Sequence, residues 1–300
     1  MKTSRFIGLV IILVALVSLA SIWLYPSVQA FMASNTIWNG ISKFSRAYNV
    51  QNIDSDAALP TDPKQDVLII DPNTHFSTDE LIQMKQFVEN GGELILMDDF
   101  GYGNSFLEYA GVPARFDNTS LLDPLFNYKN EYFPRILDFN AGVTGSGIKL
   151  IAFNHGTALS GVSQSQALAW SSSVSFLDTN QNGNLDPGEP KGPFVVAASI
   201  SLGGGTIDLV SDSSLIMNTA PGNNDNNAFG NYIMTSNGAP AKVLFDRAQL
   251  TKSPLDTSKI QLDNVRGVLS NPYTLVGIIA LVFVIITWYV YRRGLLIGGS

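Results

Sequence analysis

The chain has 300 residues, of which 45% are hydrophobic and only 14% are charged, and this composition excludes an intrinsically disordered protein. The net charge is −7, with 18 basic against 25 acidic side chains, so there is no basic excess for binding nucleic acid. The chain has no cysteine and 2 histidines, which excludes disulfides, thiolate nucleophiles, iron–sulfur clusters and zinc sites built on cysteine.

Residues 6–25 form an uncharged apolar segment, which we interpret as a transmembrane helix. At 1.5 Å per residue, a segment of this length spans the roughly 30 Å hydrocarbon core of a bilayer. A small-residue cleavage site, Val28-Gln29-Ala30, follows the segment, so a removed signal peptide is the alternative to a retained anchor. The length of the apolar run favours the anchor.

A second uncharged apolar segment, residues 273–291, predicts a second transmembrane helix. Basic residues indicate how such helices are oriented, because Lys and Arg are enriched on the cytoplasmic side. Lys2 and Arg5 precede the first segment, and Arg292 follows the second. We therefore expect both termini in the cytoplasm and the intervening chain outside, in the plasma membrane. The remaining predicted parts are an extracytoplasmic domain at 35–250, a linker at 251–272 and a cytoplasmic tail at 292–300.

The best-defined element of the extracytoplasmic domain is a βαβ unit. The runs at 66–71 and 93–99 are short and apolar, as is typical of buried strands. Between them, Ser77 and Glu80 have the spacing of a capping box and predict the start of a helix. Strand, helix and strand in this order predict two parallel strands with a helical crossover.

Further predicted elements flank this unit. A helix at 35–48 has Asn35 as its N-cap, strands at 192–199 and 206–210 read as a hairpin, and another strand lies at 241–246. Together these elements predict an α/β domain with a largely parallel sheet and helices on both faces. Residues 112–191 interrupt the pattern and are interpreted as an insertion.

The most specific motif, Asp178 to Glu189, has the spacing of an EF-hand calcium loop. Oxygen-bearing side chains occupy positions one, three, five, nine and twelve, and Gly183 at position six permits the sharp turn that brings them together. Neutral Asn residues at positions three and five indicate a weak, structural Ca²⁺ site, as in extracellular modules. A solvated turn rich in Asn, Asp and Gly is the alternative. The candidate ligands are Asp178, Asn180, Asn182, Asn184, Asp186 and Glu189.

A second candidate site is the carboxyl edge of the predicted sheet, where α/β folds bind ligands. Asp71, Asp98, Asp99 and Asp212 follow predicted strands, and paired carboxylates there could provide acid and base groups for a hydrolase. Ordinary helix caps are the alternative, since Asp is common at such turns. The chain contains no G-x-S-x-G and no H-E-x-x-H motif, so no established catalytic motif supports an enzyme.

Five stretches of the chain, in this order over most of residues 35–250, resemble the "domain of unknown function 4350" family. They are DVLIIDP at 66–72, TDELIQMKQFVENGGELILMDDFGYGNSFLEYAGV at 78–112, SFLDTNQNGNLDPGEPKGPFVVAA at 175–198, LVSDSSLIMN at 209–218 and NDNNAFGNYI at 224–233. The resemblance implies a fold related to class I glutamine amidotransferase-like and flavodoxin-like domains, anchored by flanking membrane helices. The amidotransferase relatives use a cysteine nucleophile, which this chain lacks, so their activity does not carry over. Gene linkage in the family implies partners among cell-envelope proteins, in particular a MoxR-type ATPase system.

The favoured hypothesis is a non-enzymatic, membrane-anchored binding or assembly module with a calcium-stabilised loop. The alternatives are a degenerate or unconventional hydrolase that uses Asp98, Asp99 and Asp212, and a purely structural envelope component. The expected partners are the lipid bilayer and other envelope proteins, and not nucleic acid. Asn118-Thr119-Ser120 is a glycosylation acceptor only in a cell that performs that modification.

Overall fold

The computed structural model describes residues 3–54, 59–219, 225–250 and 253–292. The chain divides into two compact units, one formed by residues 28–251 and the other by residues 1–27 together with 252–300. The helices are α1 (Thr3–Leu24), α2 (Ser42–Tyr48), α3 (Thr78–Glu89), α4 (Asn104–Ala110), α5 (Ala141–Gly145), α6 (Asn226–Thr235), α7 (Pro254–Ser270) and α8 (Pro272–Arg292), with a 3₁₀ helix at Ser213–Ile216. The strands are β1 (Gln51–Ile53), β2 (Asp66–Ile70), β3 (Glu93–Met97), β4 (Arg115–Phe116), β5 (Leu121–Leu122), β6 (Asn127–Tyr128), β7 (Asn130–Ile136), β8 (Asp138–Phe139), β9 (Ile151–Ala152), β10 (Leu159–Ser160), β11 (Ala167–Trp170), β12 (Phe176–Leu177), β13 (Val195–Leu202), β14 (Gly205–Val210) and β15 (Lys242–Asp246).

The unit formed by the chain ends is helical. Within α1, Phe6–Leu24 is long and apolar enough to cross a membrane, in agreement with the first predicted segment. Pro254–Gly267 and Pro272–Trp288 meet the same requirement only when taken together, and they are bent by 76°. The predicted span at 273–291 is therefore not confirmed. The expected linker at 251–272 contains α7, and the tail beyond Arg292 lies outside the described residues.

The main sheet of the other unit is curled and mixed. Its strands lie in the order β1-β15-β2-β3-β14-β13-β10-β4, with β11 pairing with β13 and β8 pairing with β11. The neighbours from β1 to β14 are parallel. The remaining pairs are antiparallel. In these, β13 pairs with β14, β10 and β11, β10 pairs with β4, and β11 pairs with β8. The prediction of a largely parallel sheet is therefore wrong.

The hairpin of β13 and β14 is the physical reason for this difference. Two residues, Gly203 and Gly204, join the strands, and a connection this short forces an antiparallel pair because a parallel one needs a long crossover. Gly203 has φ +60°, in the left-handed region that favours glycine in such a turn. The other edge of β13 then receives the short strands β10 and β11 of the predicted insertion, also antiparallel.

Helices cover both faces of the parallel part of the sheet. Successive side chains of a strand point to opposite faces, so neighbouring residues of β2 enter different clusters of apolar side chains. Leu68 packs in the cluster that contains Phe87 of α3, and Ile69 packs in the cluster that contains Phe229 of α6. Both β2 and β3 are consequently buried along their whole length.

Two predicted helix starts have different outcomes. The capping box is confirmed, since Ser77 N donates to Glu80 Oε2 at 2.7 Å and Glu80 N donates to Ser77 Oγ at 3.3 Å. The predicted helix at 35–48 begins only at Ser42. Asn35 is buried and donates its amide to Gln29 O at 2.7 Å, so it orders the loop before the helix and does not cap the helix.

Candidate functional site

The predicted calcium loop, residues 178–189, follows β12 and leads towards β13. Its ends are joined at the base, because Leu177 N donates to Pro190 O at 3.1 Å. At its start, Asp178 N donates to Ser120 O at 3.0 Å, next to β5, which pairs with β12. The loop is therefore closed at its base and fixed to a neighbouring strand pair.

Three of the predicted ligands, Asn180, Asn182 and Asp186, meet at one point. The Nδ2 atoms of Asn180 and Asn182 donate to Asp186 Oδ2 at 2.7 Å and 2.6 Å. These two hydrogen bonds lower the pKa of the Asp186 carboxyl. An amide group carries both a nitrogen donor and an oxygen acceptor, so a rotation of the amide would present its oxygen to a cation at the same place.

Asp178 and Asn184 instead contact the backbone of the loop. The Asp178 carboxylate accepts from Asn182 N at 3.1 Å and from Gly183 N at 2.8 Å. Gly183 has φ +78°, which is the sharp turn expected at position six. Asn184 Nδ2 donates to Asn182 O at 3.1 Å.

Glu189, at position twelve, closes the loop through backbone groups. Its Oε1 accepts from Thr179 N at 2.8 Å and its Oε2 accepts from Asp186 N at 2.9 Å. The Asp186 N–H is the larger cause that lowers the pKa of Glu189. The carboxylate of the last residue thus binds the backbone at positions two and nine of the loop.

The loop carries the kinds of oxygen that a hard cation binds, but two of its carboxylates accept from backbone N–H groups. Calcium accepts carboxylate, amide and backbone carbonyl oxygens, and the loop offers all three kinds. Across the described ranges, no group of three or more His, Cys, Asp or Glu side chains could hold a metal ion. The side chains that converge are two amides and one carboxylate, while Asp178 and Glu189 accept from backbone N–H groups.

At the carboxyl end of β3, Asp98 is fully buried and caps the turn that leads into α4. Its Oδ1 accepts from Phe100 N at 2.7 Å and Gly101 N at 2.9 Å, and its Oδ2 accepts from Gly103 N at 2.6 Å. Burial raises the pKa of Asp98, and the three backbone donors oppose that rise. With both oxygens bound in its own turn, Asp98 has the arrangement of a cap.

Asp99, by contrast, contacts Ser213, the first residue of the 3₁₀ helix that follows β14. Its two oxygens accept from Ser213 N and Ser213 Oγ, both at 3.0 Å. Burial raises the pKa of Asp99 well above its usual range, and the charges of Asp212 and Asp71 raise it further. Burial likewise raises the pKa of Asp71 to about 7, with the Ser213 hydroxyl lowering it and the charges of Asp98 and Asp212 raising it.

Asp212 uses both carboxylate oxygens for backbone groups. Oδ1 accepts from Ser214 N at 2.8 Å as the N-cap of the 3₁₀ helix, and Oδ2 accepts from Asn154 N at 2.7 Å. Burial raises the pKa of Asp212 to about 6. Asp212 therefore caps its own helix and also joins the chain after β9 to the end of β14.

The structure thus gathers Asp71, Asp99 and Asp212 at one edge of the sheet. After β3 the chain continues into α4 on one face, and after β14 it continues through the 3₁₀ helix to α6 on the other face. Such a reversal at the carboxyl ends of parallel strands is where open α/β sheets bind ligands. The cluster includes a serine, Ser213, that sequence reasoning mentioned only as a neighbour of Asp212.

Sequence reasoning missed a second buried acidic pair, Glu93 and Asp208. Both side chains are more than nine-tenths buried, on β3 and β14. Burial raises the pKa of both, and for Asp208 the charge of Glu93 adds to the rise. The sequence offered one signal of a buried acid, the Asp in the middle of the apolar strand GTIDLV. An Asp at this position is equally typical of the solvent-exposed face of a strand, so the signal was ambiguous.

Comparison with known proteins gives one decisive result. The family model "Domain of unknown function (DUF4350)" matches residues 33–233. The chain belongs to this family. No curated protein matches the chain.

Two solved structures are similar to this DUF4350 chain at low identity. The "mmIFT52 N-terminal domain" has 16% identity and a TM-score of 0.44, over 56% of this chain and 77% of that one. A β-galactosidase from Bacillus circulans sp. alkalophilus has 12% identity and a TM-score of 0.31, over 50% of this chain and 21% of that one. The amidotransferase-like fold implied by the family resemblance is not confirmed by these matches.

Proposed function

We propose that this chain is a membrane-anchored, extracytoplasmic binding or assembly module of a cell-envelope complex, non-enzymatic, with a structural calcium loop. The observation that carries the proposal is the meeting of Asn180, Asn182 and Asp186 in a loop closed by Glu189. Loops of this kind in extracellular modules bind calcium with dissociation constants on the order of 10⁻⁴–10⁻³ M, so they fill only where calcium is abundant.

The place of the loop in the fold supports a structural role for calcium. The loop starts from β12, which pairs with β5, and Lys191 just after it forms an isolated bridge with Phe176. Gly183 lies against β7, because a Cβ there would meet the Tyr132 hydroxyl at 3.1 Å. A cation bound in the loop would therefore hold together strands of the predicted insertion.

The membrane part of the proposal rests on α1 and on the basic residues near the chain ends. We propose that α1 is a retained anchor, that residues 273–291 form a second one, and that both termini face the cytoplasm. The partners would be the lipid bilayer and other envelope proteins, such as a MoxR-type ATPase system. Leu125 and Phe126, in the turn after β5, are 71% and 47% exposed and offer an apolar contact for a protein partner.

The hydrolase alternative rests on the meeting of Asp71, Asp99 and Asp212 at one edge of the sheet, but the hydrogen-bond partners of the predicted acids favour structural roles. Asp98 and Asp212 both accept from backbone groups of their own turns. Asp99 accepts from Ser213, and this pair has no His partner among the hydrogen bonds of the described residues. We therefore leave the hydrolase as an untested prediction.

A calcium titration tests the proposal. The full chain is melted in mild detergent with chelator and with calcium at 10 to 100 times the dissociation constant. Ligand linkage then adds about 1.4–2.7 kcal/mol to the free energy of unfolding, which raises the melting temperature by several degrees. Asp178→Ala removes the rise, whereas the control Asp138→Asn, an exposed acid on β8, retains it. An unchanged melting temperature in the wild type would contradict the calcium loop.

Protease treatment of intact cells tests the location independently. An accessible domain at 35–250 in intact cells supports the proposed orientation. A domain that is cleaved only after the cells are permeabilised would overturn the extracytoplasmic assignment, whatever the result with calcium.

A further inference from the structure

The loop at residues 28–40 connects the end of the apolar helix α1 to α2 and has an unusual composition. The chain contains no charged residue from Phe6 to Ser42, so the uncharged stretch continues well beyond the helix. A stretch that only had to join a membrane helix to a water-exposed domain would need no such extension. The absence of charge instead suits a surface that stays close to lipid.

Hydrogen bonds hold this loop in one conformation. Phe31 N donates to Asn39 O at 2.9 Å, and Asn39 Nδ2 donates to Val28 O at 3.3 Å, which brings the two ends of the loop together. Asn218 Nδ2 donates to Ile37 O at 2.7 Å, and Thr219 N donates to Trp38 O at 3.2 Å. The loop is therefore fixed to the body of the domain.

This ordered loop presents apolar side chains to its surroundings. Val28 is 51% exposed, Ile37 40% and Trp38 61%. Leaving a tryptophan and two aliphatic side chains outside the core forgoes their burial, which is normally worth about 1.5–3 kcal/mol for each large apolar side chain. A fixed backbone that holds them outward indicates an apolar or amphipathic partner.

The chain length from α1 identifies that partner. Val28 follows Leu24, the last residue of α1, by four residues, and four residues reach at most about 14 Å. The polar headgroup layer is itself about 5–8 Å thick on each side of the hydrocarbon core. If α1 spans the membrane, Val28 must lie within or just beyond that layer, and Asn39 Nδ2 binds Val28 O beside Trp38. Tryptophan is the side chain that most prefers this depth.

We infer that the surface formed by Val28, Ile37 and Trp38 docks into the headgroup region of the bilayer, so that the domain is held against the membrane. This inference rests on the proposed membrane anchoring of α1. The role of the uncharged loop in this inference is separate from the predicted calcium loop and from the acidic cluster at the sheet edge.

Quenching of Trp38 fluorescence tests the docking. The full chain is reconstituted in phosphatidylcholine vesicles, with or without phosphatidylcholine brominated high on its acyl chains. The variant W23F/W170F/W288F retains only Trp38 of the 4 tryptophans. We expect bromolipid to quench Trp38 at least twofold more strongly than aqueous iodide does. The difference between the wild type and W38F gives the same information without the triple replacement, should that variant fail to fold.

A second single-tryptophan chain provides the matched control. Phe100→Trp, in a chain whose native tryptophans are all replaced by Phe, places the probe where Phe100 is 63% exposed, against 61% for Trp38. We expect iodide, and not bromolipid, to quench the probe at position 100. Equal bromolipid quenching at both positions, or iodide quenching of Trp38 as strong as that of the probe at position 100, would overturn the inference.

Flotation separates this inference from the proposed anchoring. If the protein does not float with vesicles after alkaline carbonate treatment, membrane anchoring is wrong and the docking surface with it. If the protein floats while Trp38 remains open to iodide, anchoring stands and only the docking surface is wrong.

Discussion

Glu93 and Asp208 interact as two carboxyl groups buried side by side on neighbouring strands, β3 and β14. Asn237 Nδ2 donates to Glu93 Oε2 at 2.9 Å, and Ser199 donates to Asp208. Among the described groups, Glu93 Oε1 and Asp208 Oδ2 receive no N–H or O–H donor. Burial is the main cause that raises the pKa of both carboxyls, and the charge of Glu93 adds to the rise for Asp208. A proton held between the two carboxyls would satisfy both oxygens.

This pair makes the stability of the domain depend on pH. Because the pKa of Asp208 is higher in the folded than in the unfolded chain, the folded state binds the extra proton, and the stabilisation is complete below about pH 4. It is lost as the pH rises through the folded pKa, at up to about 1.4 kcal/mol per pH unit for one proton. Chemical denaturation of Asp208→Asn between pH 4 and 8 should therefore give a flatter profile than the wild type.

The control for this pH profile is Glu108→Gln, which changes an exposed acid on α4. Its profile should follow that of the wild type, because Glu108 is exposed and the Glu93–Asp208 pair is unchanged. Asp71, Asp99 and Asp212 contribute the same dependence of stability on pH in both proteins. If the slope of Asp208→Asn equals that of Glu108→Gln, Glu93 and Asp208 do not share a proton.

A buried amide attaches helix α6 to the predicted insertion. Asn226, 1% exposed, accepts from Ala152 N at 2.9 Å and donates to Ala152 O at 2.7 Å. Asn226→Ala leaves the N–H and the C=O of Ala152 without their side-chain partner, and should lower the free energy of unfolding by about 2–4 kcal/mol. The exposed neighbour Asn227→Ala should change it by less than about 0.5 kcal/mol. Similar urea midpoints for the two variants would mean that water replaces the Asn226 amide.

The carboxylate of Asp186 accepts from both amides in the predicted calcium loop, so its replacement should act most strongly when calcium is present. In chelator, Asp186→Asn should melt slightly below the wild type, because it weakens two hydrogen bonds that favour the charged carboxylate. In millimolar calcium, the rise in melting temperature seen for the wild type should be lost. Differential scanning fluorimetry of both proteins gives the comparison. A full calcium response in Asp186→Asn would place the cation away from Asn180 and Asn182.

Asp98 serves as a cap, so its replacements should be graded by the acceptors that they keep. Asp98→Ala removes the partners of three backbone N–H groups and should cost about 2–4 kcal/mol. Asp98→Asn keeps one acceptor oxygen and should cost clearly less. Equilibrium unfolding of the two variants gives the ranking. Two nearly neutral replacements would contradict the cap and return Asp98 to the group of candidate acid–base residues.

Local elements were predictable because their causes lie within a few residues. The capping box of Ser77 and Glu80 needs only its own backbone, and the apolar runs of β2 and β3 follow from burial on both faces. The hairpin at Gly203 was also evident. The position of a calcium-type loop belongs to the same class, since its turn geometry depends on Gly183 and its immediate neighbours.

Long-range partners were not predictable in this way. Asn35 has the residue type of an N-cap, yet Gln29 and Asn218 determine its role through contacts that only the folded chain provides. The acid at position 208 faces Glu93, 115 positions earlier in the chain, because β14 lies beside β3.

By itself, the sequence determined the composition class, the apolar segment that becomes α1, the βαβ unit and the oxygen-rich loop, since each depends on local pattern and length. Only the tertiary structure decided the direction of the strands beyond β14, the capping roles of Asp98 and Asp212, and the pairing of Glu93 with Asp208. The physical reason is that strand pairing and burial bring distant residues into contact, and the pKa and hydrogen-bond partners of an acid depend on those neighbours.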